Sequence, residues 1–163
     1  MTLVRLLARP MLSTMFVIGG INSLKNADYH TQRAKPVTDK LEPVLASATS
    51  SLPIQLDGLA MVRANGVVHV IGGFMLATGR APRLTALVLA GTLVPTTLAG
   101  HRFWEESDPQ ARANQQVHFL KNVSMAGGLL LASVDTAGKP SLTWRAKHQA
   151  SAAKKRAAEL THS

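Results

Sequence analysis

Four stretches of the chain are apolar on all sides, and polar stretches separate them. They cover residues 3–24, 58–79, 84–100 and 117–134. A helix of about 20 residues crosses a hydrocarbon core of about 30 Å, so each stretch has nearly the length of a membrane span. A soluble four-helix bundle is the alternative, because the uncharged runs inside the stretches are only 13 to 17 residues long. Soluble helices need a polar outer face, so the uniform apolarity favours the membrane.

The charges inside these stretches, Arg5, Arg9, Arg63 and Lys121, lie within about two turns of a segment end. Long cationic side chains at such positions can reach the headgroup layer. A cleaved signal peptide is the alternative for the first stretch, but no small-residue cleavage site follows Leu24. We therefore predict an all-α fold, a four-helix transmembrane bundle over residues 1–135.

The loop between the first two stretches carries a helical pattern of its own. Apolar residues recur at helical spacing between residues 37 and 48, and Pro36 and Pro43 mark where a helix begins or breaks. This pattern predicts a short amphipathic, interfacial helix in the first outer loop. It either lies in the membrane interface or packs over the mouth of the bundle.

Charge distribution predicts the orientation. The formal net charge of +9 comes from 18 Lys and Arg against 9 Asp and Glu. Arg5, Arg9, Arg80 and Arg83 lie on one side of the predicted bundle, and from residue 139 onward six cations face only Glu159. Since cytoplasmic flanks are rich in Lys and Arg, both termini are predicted to be cytoplasmic. Residues 136–163 are predicted to form a basic tail, disordered or loosely helical, and no aromatic or glycine-rich pattern indicates nucleic-acid binding.

The chain has no cysteine. It cannot itself carry a disulfide, a thiol redox couple, a cysteine-ligated iron–sulfur cluster or a cysteine nucleophile. Any redox role of this chain must therefore use another centre.

Polar and ionisable side chains, which are energetically unfavourable inside a membrane, are concentrated in its predicted outer half. We predict a ligand-binding site there from eight residues: Arg63, Asn65, His69, His101, Trp104, His118, Lys121 and Asn122. Cations, amides and imidazoles without an intramembrane acid suit an anion or a carbonyl, such as a lipid phosphate, a sulfur oxyanion or a quinone oxygen. The alternative is that the two cations reach headgroups or pair with nearby acids. No metal site and no catalytic residues are predicted, and two helical histidines are weak support for haem.

Two runs of residues resemble the DoxX family of membrane proteins. Residues 98–104 read LAGHRFW, and residues 115–122 read QQVHFLKN before a Gly-Gly-Leu-Leu run. The first segment, with Phe16 and the Gly19–Gly20 pair, is similar to the family's opening helix, although Ser23 stands where a lysine is often found. The resemblance covers about residues 3–135.

The resemblance implies a multi-pass protein of a bacterial plasma membrane, of the actinobacterial type. It favours a non-catalytic membrane subunit or anchor of a redox or thiol-stress complex for sulfur or superoxide detoxification, with a superoxide dismutase and a thiosulfate sulfurtransferase as partners. A quinone-linked oxidoreductase subunit with an outward-facing polar pocket is the first alternative. A binder or carrier of a small anionic molecule or lipid is the second, and a homo-oligomer is compatible with all three.

Overall fold

The computed structural model describes residues 3–48, 57–136, 138, 144 and 147–152. Every regular element within these residues is helical, which confirms the predicted all-α fold. The elements are α1 (Leu3–Lys25), α2 (Ala27–Ala48), α3 (Gly58–Thr78), α4 (Pro82–Gly100), a 3₁₀ turn (Phe103–Glu105) and α5 (Pro109–Val134). Most of the predicted basic tail lies outside the described residues; its described part consists of residues 136, 138 and 144 and a helical stretch at 147–152.

Four of these helices are long and apolar enough to cross a membrane: α1, α3, α4 together with the 3₁₀ turn, and α5. Their outward faces carry large exposed apolar side chains, such as Ile18, Phe74 and Leu131. Exposed apolar surface of this extent is unfavourable in water and suits lipid. The predicted four-helix transmembrane bundle is therefore confirmed.

Neighbouring helices of the bundle run antiparallel, in the ring α1, α3, α4, α5. The start of α1 and the end of α5 lie together, as the contact of Arg5 with Asp135 shows. We call this the base end, and the opposite end, where α2 and the 3₁₀ turn lie, the mouth end. The core is concentrated toward the base end and consists of Phe16, Leu76, Ala86, Leu89, Ala90, Leu93 and Leu129.

Glycines let α1 and α3 approach closely. A Cβ added at Gly20 would lie 2.8 Å from the carbonyl oxygen of Gly66, and one added at Gly73 would lie 2.6 Å from Val17 Cγ2. Real side chains do not fit such gaps, so the two backbones pack at a distance that only glycine permits. In lipid this close packing replaces the hydrophobic effect as the source of helix association.

Threonines of α4 link it to both neighbours inside the membrane. Each accepts or shares a hydrogen bond at 3.0 to 3.1 Å with a polar side chain from another helix: Thr92 with His69, Thr96 with Asn65, and Thr97 with Asn122. The hydroxyls donate to carbonyls of α4 itself, so their oxygens are left as acceptors. The polar groups are thereby satisfied away from water.

The helix of the first outer loop is confirmed but is longer than its apolar pattern indicated. It begins at Ala27, with only Asn26 between it and α1, and continues through Pro36 and Pro43. An internal proline frees the carbonyl four residues earlier. Gln32 and Asp39 occupy those positions and are exposed, so their carbonyls are open to hydration. α2 packs on α3 and α4 and covers the mouth end.

Arg5 and Arg9 were expected to reach the headgroup layer, but in the structure both contact an acidic side chain. Arg5 forms an ion pair with Asp135 at 2.7 Å, and Arg9, only 7% exposed, lies 3.5 Å from the same carboxylate. A buried guanidinium is stable only when it is paired. The opposite charge comes from Asp135, which follows the last membrane-crossing helix. A pairing between the first and the last of these helices is not visible when each segment is analysed separately.

Candidate functional site

A cavity of about 610 Å³ lies at the mouth end, between α2 and the facing ends of α3, α4 and α5. Its apolar walls include Val37, Leu41 and Leu45 from α2, Val68 from α3 and Pro95 from α4. The α2 residues recur at i, i+4 and i+8, so one face of that helix supplies one wall. The cavity exists because the apolar core is concentrated toward the base end while α2 spans the mouth.

The polar end of the cavity is built around two stacked imidazoles. The rings of His101 and His118 lie 5.1 Å apart and nearly parallel. His101 Nδ1 is 2.8 Å from Gln115 Oε1 and donates to it, which leaves Nε2 of His101 as an acceptor. Lys121 Nζ lies 3.3 Å from His118 Nδ1; since an ammonium only donates, the proton of His118 is on Nε2. The pair thus offers one hydrogen-bond donor and one acceptor.

Arg33 ties α2 to the end of α4 at the rim of this cavity. Its Nη1 donates to the hydroxyl of Tyr29 at 3.0 Å, and its Nη2 donates to the carbonyl of Gly100 at 3.1 Å. Arg33 also lines a second cavity of about 240 Å³, together with Arg102 and Glu105, which pair at 3.1 Å. Arg33 and Gln115 therefore lie between the large apolar cavity and a small polar one.

A hydrogen-bonded chain leads from the end of α1 to the cavity. Asn26 donates to Asn22 Oδ1 at 2.8 Å, and the amide nitrogen of Asn22 lies 3.1 Å from His30 Nε2. His30 lines the cavity. Burial lowers the pKa of His30 below its ordinary value, and the charge of Arg33 lowers it further. His30 is therefore neutral at pH 7, and its Nε2 accepts from Asn22.

The cavity lining contains no aspartate or glutamate among the described residues. Its charged member is Arg33, and Lys121 stands directly behind His118. Such a surface donates hydrogen bonds and carries positive potential, so it suits a carbonyl oxygen or an anion. The apolar walls suit a hydrocarbon body attached to that head.

Three of the eight residues predicted for the site line the cavity: Asn65, His101 and His118. Lys121 joins them through its contact with His118. His69 lies behind the wall: it is 5% exposed, sits edge-on to Phe16, and reaches the cavity only through Thr92.

The structure places the other three elsewhere. Asn122 is buried and bonded to Thr97. Trp104 packs on Phe103 and Phe119 outside the cavity. Arg63 is exposed and has no hydrogen bond or ion pair with any described residue, which suits a side chain reaching toward headgroups. Arg63, His69, His118 and Lys121 therefore do not form one contiguous cluster.

Sequence reasoning did not assign His30, Arg33 or Gln115 to the site. A signal for the first two was present, because residues 30, 33, 37, 41 and 45 continue one helical face toward the start of α2. Gln115 precedes His118 by three residues and shares its helix face. Within the part of the chain that the structure describes, no group of three potential metal ligands comes together.

The comparisons with known proteins give one match. The DoxX family model matches residues 4–102, which cover α1 to α4, and the match ends before the QQVHFLKN run. No curated protein and no solved structure matches the chain significantly. The family match covers more than half of the chain. The four membrane-crossing helices of the structure make the protein a multi-pass membrane protein. The chain belongs to the DoxX family.

Proposed function

We propose that this protein is a quinone-binding membrane subunit and that the mouth cavity holds the quinone. The observation that carries the proposal is the union, in one cavity, of an apolar wall and a polar end without acidic groups. A volume of about 610 Å³ lies within the usual range for small-molecule sites, about 300 to 1,000 Å³.

The polar end matches the head of a quinone. His118 Nε2–H and the second amide hydrogen of Asn65 are donors for a carbonyl oxygen, while His101 Nε2 is an acceptor for the hydroxyl of the reduced form. Asn65 uses one amide hydrogen on Thr96, which holds it in place. A site with both a donor and an acceptor accommodates the oxidised and the reduced head.

The apolar walls match a lipid-soluble body. α2 contributes Val37, Leu41 and Leu45, and α3 and α4 contribute Val68 and Pro95. Burial of apolar surface contributes about 25 cal/mol per Å², so these walls supply affinity while the polar end supplies orientation. A small inorganic anion would leave these walls unused, which favours an amphipathic ligand.

The wider role follows the family resemblance. A membrane subunit of a redox or thiol-stress complex, with a superoxide dismutase or a sulfurtransferase as partner, is compatible with a quinone site in this chain. The partners are expected to bind the basic tail, which lies largely outside the described residues, so this contact stays a prediction. The orientation with both termini in the cytoplasm of a bacterial cell also stays a prediction.

The test measures binding of a short-chain quinone to the purified protein in detergent by thermal shift, together with mass spectrometry of molecules extracted from it. Gln115→Leu removes the acceptor that orients His101, and we expect about tenfold weaker binding from the loss of one or two hydrogen bonds. Gln116→Leu is the matched control, because Gln116 is exposed and does not line the cavity.

Equal binding by both variants, or no binding by the unchanged protein, would contradict the quinone site. Stabilisation by thiosulfate or by a phospholipid, with none by quinone, would instead support the anion or lipid carrier. Lys121→Met distinguishes an anion from a quinone by the size of the effect. An anion loses an ionic partner and should no longer bind, whereas a neutral quinone loses only the contact that fixes the tautomer of His118 and should bind a few-fold more weakly.

A further inference from the structure

Three arginines converge on one end of α5, at the base end of the bundle and far from the cavity. Arg5 donates to both carboxylate oxygens of Asp135 at 2.7 and 2.9 Å, and Arg9 lies 3.5 Å from the same group. Arg83, from the start of α4, donates through Nε to the carbonyl oxygen of Ser133 at 2.9 Å. We call Arg5, Arg9, Arg83 and Asp135 the base cluster.

The base cluster carries more positive than negative charge. The single carboxylate of Asp135 faces Arg5 and Arg9. Arg83 and Arg80, which lies between α3 and α4, add two more cations at the same end. The last carbonyls of α5 contribute roughly half a negative charge. Asp135 is the only acid at this end among the described residues, because the others belong to the mouth end: Asp28, Asp39, Glu42, Asp57, Glu105, Glu106 and Asp108.

An uncompensated excess of this kind is unfavourable next to hydrocarbon. Arg9 is 7% exposed, and its contact with Asp135 at 3.5 Å is at the limit of a hydrogen bond. Arg83 uses only Nε on Ser133 and is exposed, so both of its Nη groups face outward without a described partner. An additional anion beside Arg83 would balance this positive charge and accept hydrogen bonds from its Nη groups.

We propose that the base cluster binds the phosphate of an anionic lipid. A planar guanidinium matches two phosphate oxygens at once, and basic positions at helix ends attract anionic headgroups. The side chains around Arg83 argue for lipid as the source of the phosphate. Leu84, Leu131 and Val134 are 64%, 74% and 66% exposed, so acyl chains can pack beside the bound headgroup.

The experiment reconstitutes the full chain in vesicles of phosphatidylcholine with a minor fraction of phosphatidylglycerol, extracts it, and counts retained lipids by native mass spectrometry. We expect phosphatidylglycerol to be enriched over its share in the vesicle. The double variant Arg80→Gln and Arg83→Gln should lower this enrichment by about 25-fold, since each surface cation contributes about fivefold. Both side chains are exposed, and neither pairs with Asp135.

Arg63→Gln is the matched control, since Arg63 is a single exposed arginine in the opposite half of the membrane; it should lower the enrichment far less than the double variant does. A thermal-shift measurement with inorganic phosphate distinguishes a lipid headgroup from free phosphate as the ligand of the base cluster. A rise in melting temperature with phosphate alone, lost in the double variant, would assign the site to free phosphate instead of lipid. No enrichment in the unchanged protein, or equal loss in the Arg63→Gln control, would overturn the proposal.

Discussion

The guanidinium of Arg5 holds both carboxylate oxygens of Asp135, 130 residues further along the chain. This ion pair joins the first turn of α1 to Asp135, the C-cap residue directly after α5. One of the other links between these two helices is the packing of Leu12 against Gly128. The pair therefore helps to close the ring of four helices at its base end, and its carboxylate lies 3.5 Å from the buried guanidinium of Arg9.

Asp135→Asn should destabilise the protein, because it removes the negative charge that faces Arg5 and Arg9. Loss of one partner of a buried pair costs about 3 to 5 kcal/mol; partial exposure of Asp135 reduces this to about 2 kcal/mol. The melting temperature in detergent measures the change. Asp39→Asn is the control, since its pair with Lys35 is exposed and should contribute less than about 0.5 kcal/mol. Equal effects of the two substitutions would show that the base ion pair is not structural.

Gly20→Ala should weaken the packing of α1 on α3. The added methyl would lie 2.8 Å from the backbone oxygen of Gly66, so the helices must separate, at a cost of about 1 to 3 kcal/mol. Gly19→Ala is the neighbouring control, because nothing lies within 4 Å of its added methyl. Thermal denaturation of the two variants compares them directly. A tolerated Gly20→Ala would mean that the two helices pack less closely than described.

Acidification should destabilise the α1–α2 junction through His30. Its folded pKa lies below the ordinary 6.5 because of burial and of Arg33. Between the two pKa values the unfolded chain binds more protons than the folded one, so the free energy of unfolding falls as pH drops below about 6.5. Melting curves at about pH 7.5 and 5.5 report the change. His30→Gln should flatten this pH dependence, and an unchanged slope would remove His30 from the explanation.

Reporter fusions test the orientation. Fusions after Arg83 and at the C-terminus should both read cytoplasmic, because Arg5, Arg9, Arg80 and Arg83 make the base end rich in cations and cytoplasmic flanks are rich in Lys and Arg. A fusion after Glu106 should read external, because it follows the third membrane-crossing helix. An external signal from either of the first two fusions would reverse or break the predicted topology.

The family match and the structure divide the chain differently. The match ends at residue 102, yet Gln115 and His118 in α5 complete the polar end of the cavity. The QQVHFLKN run therefore lies outside the matched residues, while two of its members, Gln115 and His118, line the cavity. The resemblance of the QQVHFLKN run to the family and the family match over residues 4–102 are therefore separate observations.

The sequence by itself determined the four membrane-crossing helices, the extra amphipathic helix and part of the lining of the candidate cavity. Hydropathy and helical spacing are local properties, readable over about 20 residues. Asn65, His101 and His118, which line the cavity, could be proposed from the sequence because polar groups inside a membrane segment are unfavourable and therefore stand out. Their depth follows from their distance to the segment ends.

Only the tertiary structure decided which of these polar groups meet. The rotation of each helix about its axis depends on packing with its neighbours, so Arg63 turns outward while His69 turns into the α1–α3–α4 contact. The partner of Arg9 is equally non-local. Asp135 lies 126 residues away in sequence, and no periodicity within one helix reveals a charge that another helix supplies.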